Sequence, residues 1–252
     1  MGINSGSAEL LRVENESLPF SGSILQLGRQ HFSFATDDRE FFGRLGFSEV
    51  KSLDRSDFEG ADFIVDMNLP VPAELQDRFD VILNGGTLEH VFHVPHVLSN
   101  VHRMLKVGGR IIHIAPASNQ IDHGFYCFSP TFFHDYYLAN RYEIRALYLC
   151  EFDVWQSPWR AYCWSPGILT GQKFYRNSIF GVFCVVRKLP NSTDSEVPTQ
   201  NYYANWTAPT ANGQNPLLVL GRRLWPHGME VAGRIKRTLL HRPPPLPLRN
   251  GR

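Results

Sequence analysis

No stretch of this chain approaches the roughly 20 consecutive apolar residues that cross a bilayer, so no transmembrane helix is expected. No secretory leader is expected either: Glu9, Glu14 and Glu16 stand where a basic stub and an apolar run would be needed. Cysteine is scarce. Cys127, Cys150, Cys163 and Cys184 form no CxxC pair, which argues against a zinc ribbon and a dense disulfide framework. Buried thiols in a reducing cytoplasm are the expectation. There is no internal repeat. Charged residues make up only 19% of the 252 residues and hydrophobic ones 43%, so the chain can bury a core and is not wholly disordered.

The net charge of +1 hides an asymmetry. Residues 217–252 carry eight Lys and Arg against the single acid Glu230, which leaves 17 basic and 23 acidic residues in 1–216. An acidic body with a basic tail does not suit nucleic-acid binding; it suits an enzyme body with an appended segment.

Apolar runs mark the elements. Ser23–Leu27 reads as a buried strand that turns at Gly28. Phe41, Phe42 and Leu45 have helical spacing before Gly46. Strands follow at 49–53, 63–65 and 79–83, with Asp54, Asp66 and Asn84-Gly85-Gly86 at their ends. Val94, Val97, Leu98, Val101 and Leu105 line one face of the clearest helix, stopped by Gly108-Gly109. Residues 110–115, 144–149 and 179–186 complete seven strands. Strands alternating with helices predict an α/β fold around a mostly parallel sheet. The aromatic insertion 153–177 either covers the sheet edge or forms a lid facing a substrate. The expected organisation is a domain over 1–190 with its core at 20–190, a polar linker over 191–216 and a basic, Pro-rich tail over 217–252.

Ligands of an open parallel sheet bind beyond the carboxyl ends of its strands. A glycine there (Gly28) lets backbone approach a ligand, an acid (Asp54) can accept from both hydroxyls of a ribose, and a polar residue (Asp66) can meet an adenine edge. Together they suit an adenosine-containing ligand.

The stretch 79–116 contains FDVI, then LEHV, then a helix ending in LKVGG, then a strand closed by Pro116. In this it resembles the class I S-adenosylmethionine-dependent methyltransferases. The resemblance implies a Rossmann-like seven-stranded sheet in order 3-2-1-4-5-7-6, with the last strand antiparallel, and S-adenosyl-L-methionine as cofactor. It places Gly28 under the methionine part, Asp54 on the ribose and Asp66-Met67 beside the adenine, with Gln26 and Asn84 completing the cofactor set. The family's glycine motif, an acid and an apolar residue before Gly-x-Gly-x-Gly, is here Gln26-Leu27-Gly28-Arg29-Gln30-His31.

Three residues are candidates for catalysis: Glu89, His90 and His123. In the ubiquinone-type O-methyltransferases that this stretch also resembles, a Glu-x-x-Glu-His run can hold a divalent metal. Here Gly86 takes the first position, so Glu89 and His90 alone make a poor site, and no metal is expected even with His93 and His96 nearby. His123, in HGFYCFSP after the fifth strand, suits a general base oriented by Asp122; the same segment also reads as a packed turn before a helix starting at Ser129-Pro130. His113, in mid-strand, is a weaker candidate. The expected function is O-methylation of a small molecule, a sugar or natural-product hydroxyl. The competing expectation is a non-catalytic, methyltransferase-like scaffold. No nucleic-acid partner is expected. The tail could touch an anionic membrane surface, but packing onto the acidic body or joining two subunits is favoured.

Overall fold

The structure, a computed structural model, describes residues 2–32, 37–154, 157–167 and 178–204. Its strands carry apolar residues at both alternations, the pattern of a sheet covered on both faces. They are β1 (Ser23–Leu27), β2 (Glu49–Asp54), β3 (Phe63–Ile64), β4 (Phe79–Gly85), β5 (Leu105–Ser118), β6 (Glu143–Phe152), β7 (Arg160–Cys163) and β8 (Ile179–Arg187). The helices are α1 (Ser5–Ser17), α2 (Asp38–Arg44), α3 (Val94–Met104), α4 (Pro130–Ala139) and the short α5 (Asn201–Ala204).

The strand order is β3-β2-β1-β4-β5-β8-β6-β7. Strands β1 to β5 pair in parallel, and β8 runs antiparallel between β5 and β6. This is the expected Rossmann-like order with one strand added at the margin. The addition, β7, comes from the aromatic insertion and pairs with Tyr148–Glu151 of β6. Its flank Trp159 is buried and stacks on Phe152 at 4.9 Å, so this part of the insertion serves the sheet edge. Trp155, Phe174 and Tyr175 lie outside the described residues, as does the basic tail.

Period-two alternation divides the core. Leu25 and Leu27, Ile82, Ile111, and Val182, Cys184 and Val186 face the layer holding α3 and α4, where Val97, Val101, Phe133 and Tyr137 meet them. Ile24, Val81 and Leu83, Ile112 and Ile114, and Phe183 and Val185 face the other layer, with Leu10 and Leu11 of α1 and Phe41 and Phe42 of α2. α3 is the amphipathic helix read from its spacing; it ends at Met104, and Gly108-Gly109 fall within β5. α1 is an addition to the sequence reading. Its Asn4–Ser7 capping box satisfies the first turn, and Glu14 accepts from Arg110 Nη1 and Arg145 Nε at 2.8 Å each. Among the described residues no helix is long and apolar enough to cross a membrane. Cys150 and Cys184 are buried free thiols, whereas Cys127 and Cys163 are exposed.

Candidate active site

The carboxyl ends of β1, β2 and β4 meet at a cleft. β1 breaks at Gly28, which takes φ +71°, the left-handed region that glycine enters without strain. A Cβ there would come 2.9 Å from Thr87 Oγ1 and 3.9 Å from Asp54 Oδ2, so the missing side chain leaves a gap between these two polar groups. Thr87 Oγ1 itself donates to Leu27 O at 2.5 Å, and Asp54 Oδ1 accepts from the Arg55 amide at 2.6 Å. The cavity here measures about 330 Å³ and is lined by Gly28, Gln30, Asp54, Gly85, Thr87 and His90, among others. That lies at the lower end of the ~300–1,000 Å³ range of small-molecule pockets.

The loop after β1 is closed by glutamines in place of glycines. Gln26 is fully buried; its Nε2 donates to Asp38 Oδ2 (2.8 Å) and its Oε1 accepts from the Gln30 amide (3.2 Å). It ties the loop to α2 and does not line the cavity. The Gln30 amide lies against Gly85, where any Cβ would overlap it, and its Nε2 donates to Gly28 O at 3.0 Å. Gln30 Oε1 is buried and has no hydrogen-bond partner. Arg29 turns back to Asp38 at 3.5 Å, and His31 meets Glu59 at 3.1 Å.

The other expected cofactor residues sit elsewhere around β3 and β4. Asp66 accepts from both the backbone and the side chain of Asn68, which holds its carboxyl below the usual range. Met67 is buried in the core, and Asn84 is fully buried beneath the turn that follows β4. Asn84 Oδ1 accepts from the Thr87 and Leu88 amides at 3.1 and 2.9 Å, which caps the 3-10 turn Leu88–His90. Its Nδ2 faces His113 Nδ1 at 3.3 Å, and His113 Nε2 lies 2.6 Å from the Tyr137 hydroxyl. Burial drives the His113 pKa down to about 3, so this histidine is a neutral structural link.

That turn presents Glu89 and His90, and the loop after β5 brings His123 to them. Glu89 Oε1 is 3.5 Å from His123 Nε2 and 4.0 Å from His90 Nε2, and the two rings are 5.1 Å apart. Glu89 is completely buried, and burial raises its pKa to about 7. Burial pushes both histidines below their ordinary value. The apposition depends on Gly124: a Cβ there would meet Glu89 O at 2.8 Å, and the neighbouring Phe125 amide donates to the same oxygen at 2.8 Å. The carboxylate facing His123 is therefore Glu89; Asp122, the orienting acid expected from the sequence, is an exposed turn residue with φ +63°. Phe92 and Phe125 form an exposed edge-to-face pair beside the cluster.

All three expected catalytic residues thus converge, and Gly28, Asp54 and His90 share one cavity. Gln30 and Thr87 are the contributors that sequence reasoning missed. Gln30 stands where the family pattern calls for a glycine, and its substitution was the available signal. Thr87 has no signal of its own.

Compared with known proteins, residues 51–113 match the family described as methyltransferase domain. Solved structures of similar fold include TehB from Haemophilus influenzae (15% identity over 71% of this chain and 61% of that one, TM-score 0.48). The YcgJ protein from Bacillus subtilis is 13% identical over 72% of this chain and 98% of that one, with TM-score 0.47. An S-adenosylmethionine-dependent methyltransferase from Mesorhizobium loti is 18% identical over 73% and 99%, with TM-score 0.43. The chain spans 61% of the length of TehB. No curated protein matches. Within a sheet of Rossmann-like order, residues 51–113 thus resemble a methyltransferase domain, and the cofactor to which that match points is S-adenosylmethionine. The residues fit such a group: Gly28 puts no side chain into the cleft, Asp54 offers a carboxylate, and Gln30 Oε1 is a buried acceptor with no hydrogen-bond partner.

Proposed function

We infer that the protein methylates an oxygen of a small molecule, a sugar or natural-product hydroxyl, using S-adenosylmethionine. The observation that carries this reading is a single cavity lined both by Gly28 and Asp54 and by His90, which adjoins Glu89 and His123. The cofactor, when bound, supplies an electrophilic methyl group. Asp54 accepts hydrogen bonds from ribose hydroxyls, Gln30 Oε1 accepts from a further donor, and Gly28 leaves room for the ligand against backbone. Asp66 and Met67 remain assigned to the adenine end by resemblance. The Glu89–His90–His123 cluster is the proton-accepting end, and Phe92 and Phe125 give the acceptor an apolar wall to rest on. Proximity of the two ends provides the orientation that the transfer requires.

A second reading has an observation of its own. Gln30 packs over Gly85 where the family pattern has glycine, which narrows the cofactor loop and suits a scaffold that has given up catalysis. Calorimetry with S-adenosylmethionine separates the two. Micromolar binding, weakened at least about tenfold (~1.4 kcal/mol) by Asp54→Ala, is the expected result. No detectable heat at millimolar cofactor leaves the scaffold standing.

A further inference from the structure

Glu89 is a deeply buried carboxylate. Its relative exposure is 0%, and neither carboxylate oxygen has a hydrogen-bond partner. Its side-chain neighbours of opposite potential charge are His90 and His123, and among the described residues no lysine or arginine pairs with it. His123 Nε2 is buried and equally unpartnered. Leaving such groups unpaired is costly, and native proteins seldom leave that cost unrelieved. One proton on Glu89 would remove the charge yet leave most of the lone pairs around it unanswered. A divalent cation would satisfy the carboxylate and both imidazoles together.

The geometry agrees. One ligand atom from each of the three side chains lies within 4.8 Å of the other two. Ligands at zinc-like distances of ~2.1 Å in tetrahedral array stand about 3.4 Å apart. The Glu89–His123 separation of 3.5 Å is already there, and the 4.0 Å to His90 closes with a small ring rotation. The residues come from two rigid supports: the turn capped by Asn84, and the loop that Gly124 and the Phe125 amide press onto Glu89. His90 also lines the cavity, which sets the cluster at its edge.

We propose that Glu89, His90 and His123 form a binding site for one divalent transition-metal ion, held by a Glu89 carboxylate oxygen and the two Nε2 atoms, with an open position facing the cleft. Two imidazoles and one carboxylate suit zinc, cobalt or iron(II) better than calcium or magnesium. His123 supplies the ligand that the Glu89-His90 pair lacks in the sequence, so the two-ligand objection to a metal no longer applies. The proposal deepens the reading of this cluster as the acceptor end of the cleft and rests on it for the ion's role: an open position on such an ion lowers the pKa of a hydroxyl that occupies it, and His123 then acts as a ligand and not as a free base.

The test uses full-length protein stripped with a chelator and titrated with zinc by calorimetry, with cobalt(II) absorption in parallel. One zinc per chain is expected at micromolar affinity or tighter, weakened at least tenfold by His123→Ala and by Glu89→Gln, with d–d bands on adding one equivalent of cobalt. Circular dichroism and thermal unfolding verify that the variants fold. The cobalt spectrum of unmodified protein needs no variant at all. Absence of those bands, or zinc affinity that the two substitutions leave unchanged, overturns the proposal. S-adenosylmethionine titrated into the same preparation tests the other reading separately: cofactor binding without zinc binding sinks the metal site alone, and zinc binding without cofactor binding sinks the methyltransferase reading alone.

Discussion

At the scale of single residues, His113 shows how far burial can decide a side chain's role. It sits in mid-strand with Asn84 on one nitrogen and Tyr137 on the other, and burial lowers its pKa from 6.5 to about 3. Folded His113 stays neutral while the unfolded chain takes up a proton below pH 6.5. Its contribution to stability is therefore whole above that pH and is lost as the pH falls toward 3. By pH 4.5 the loss is about 2–3 kcal/mol. Urea unfolding of wild type and His113→Gln from pH 7 to 4.5 checks this: the variant loses less stability over that interval, and parallel curves would refute it. Single residues were also where the sequence spoke most clearly about the site. Gly28 and Asp54 sit at strand ends, and strand ends follow from apolar runs. That Glu89 and His123 would meet could not be read, because their contact depends on how the loop after β5 folds back, and only Gly124 hints at a close approach.

At the scale of elements, the turn Leu88–His90 hangs from one side chain. Asn84 Oδ1 takes the amides of Thr87 and Leu88, and among the described residues no other capping side chain serves the turn. Asn84→Ala leaves two largely buried amides without acceptors and is expected to cost about 2–3 kcal/mol. It also frees Glu89 and His90 from their register. The fall in unfolding midpoint is the first measurement, and faster amide exchange at Leu88 the second; unchanged exchange would show that the turn holds without its cap. Elements differed in how legible they were. α3 announced itself because Val94, Val97, Leu98 and Val101 share one face and are all buried. α1 did not, because its buried side includes Gly6, Ser7 and Glu14, which no hydrophobic pattern registers. β7 hid within a run of aromatics that also suits a loop, and it is a strand because β6 offers it a partner.

At the scale of the whole molecule, α1 is fastened to the sheet by a charge cluster. Glu14 holds Arg110 of β5 and Arg145 of β6, and Arg110 also donates to Leu18 O and Pro19 O. Glu14→Ala leaves the deeply buried Arg110 without a carboxylate and Arg145 with Glu143 alone at 3.8 Å, and is expected to destabilise the protein by about 3 kcal/mol. Denaturant unfolding measures it; a loss under about 0.5 kcal/mol, the usual range of a surface substitution, would mean that water replaces Glu14 without penalty. The sheet order itself was legible through the resemblance carried by residues 79–116. That order has a consequence for the birth of the chain on the ribosome. Among the described residues β8 is the last strand made, yet it lies between β5 and β6 and pairs with both. Until Arg187 has emerged, β6 and β7 are a lone two-stranded ribbon, too small to be stable in water, and one margin of β5 stands open. At about 5–20 residues per second the growing chain passes through seconds in which its most aggregation-prone edge is the one that the finished sheet buries at its centre.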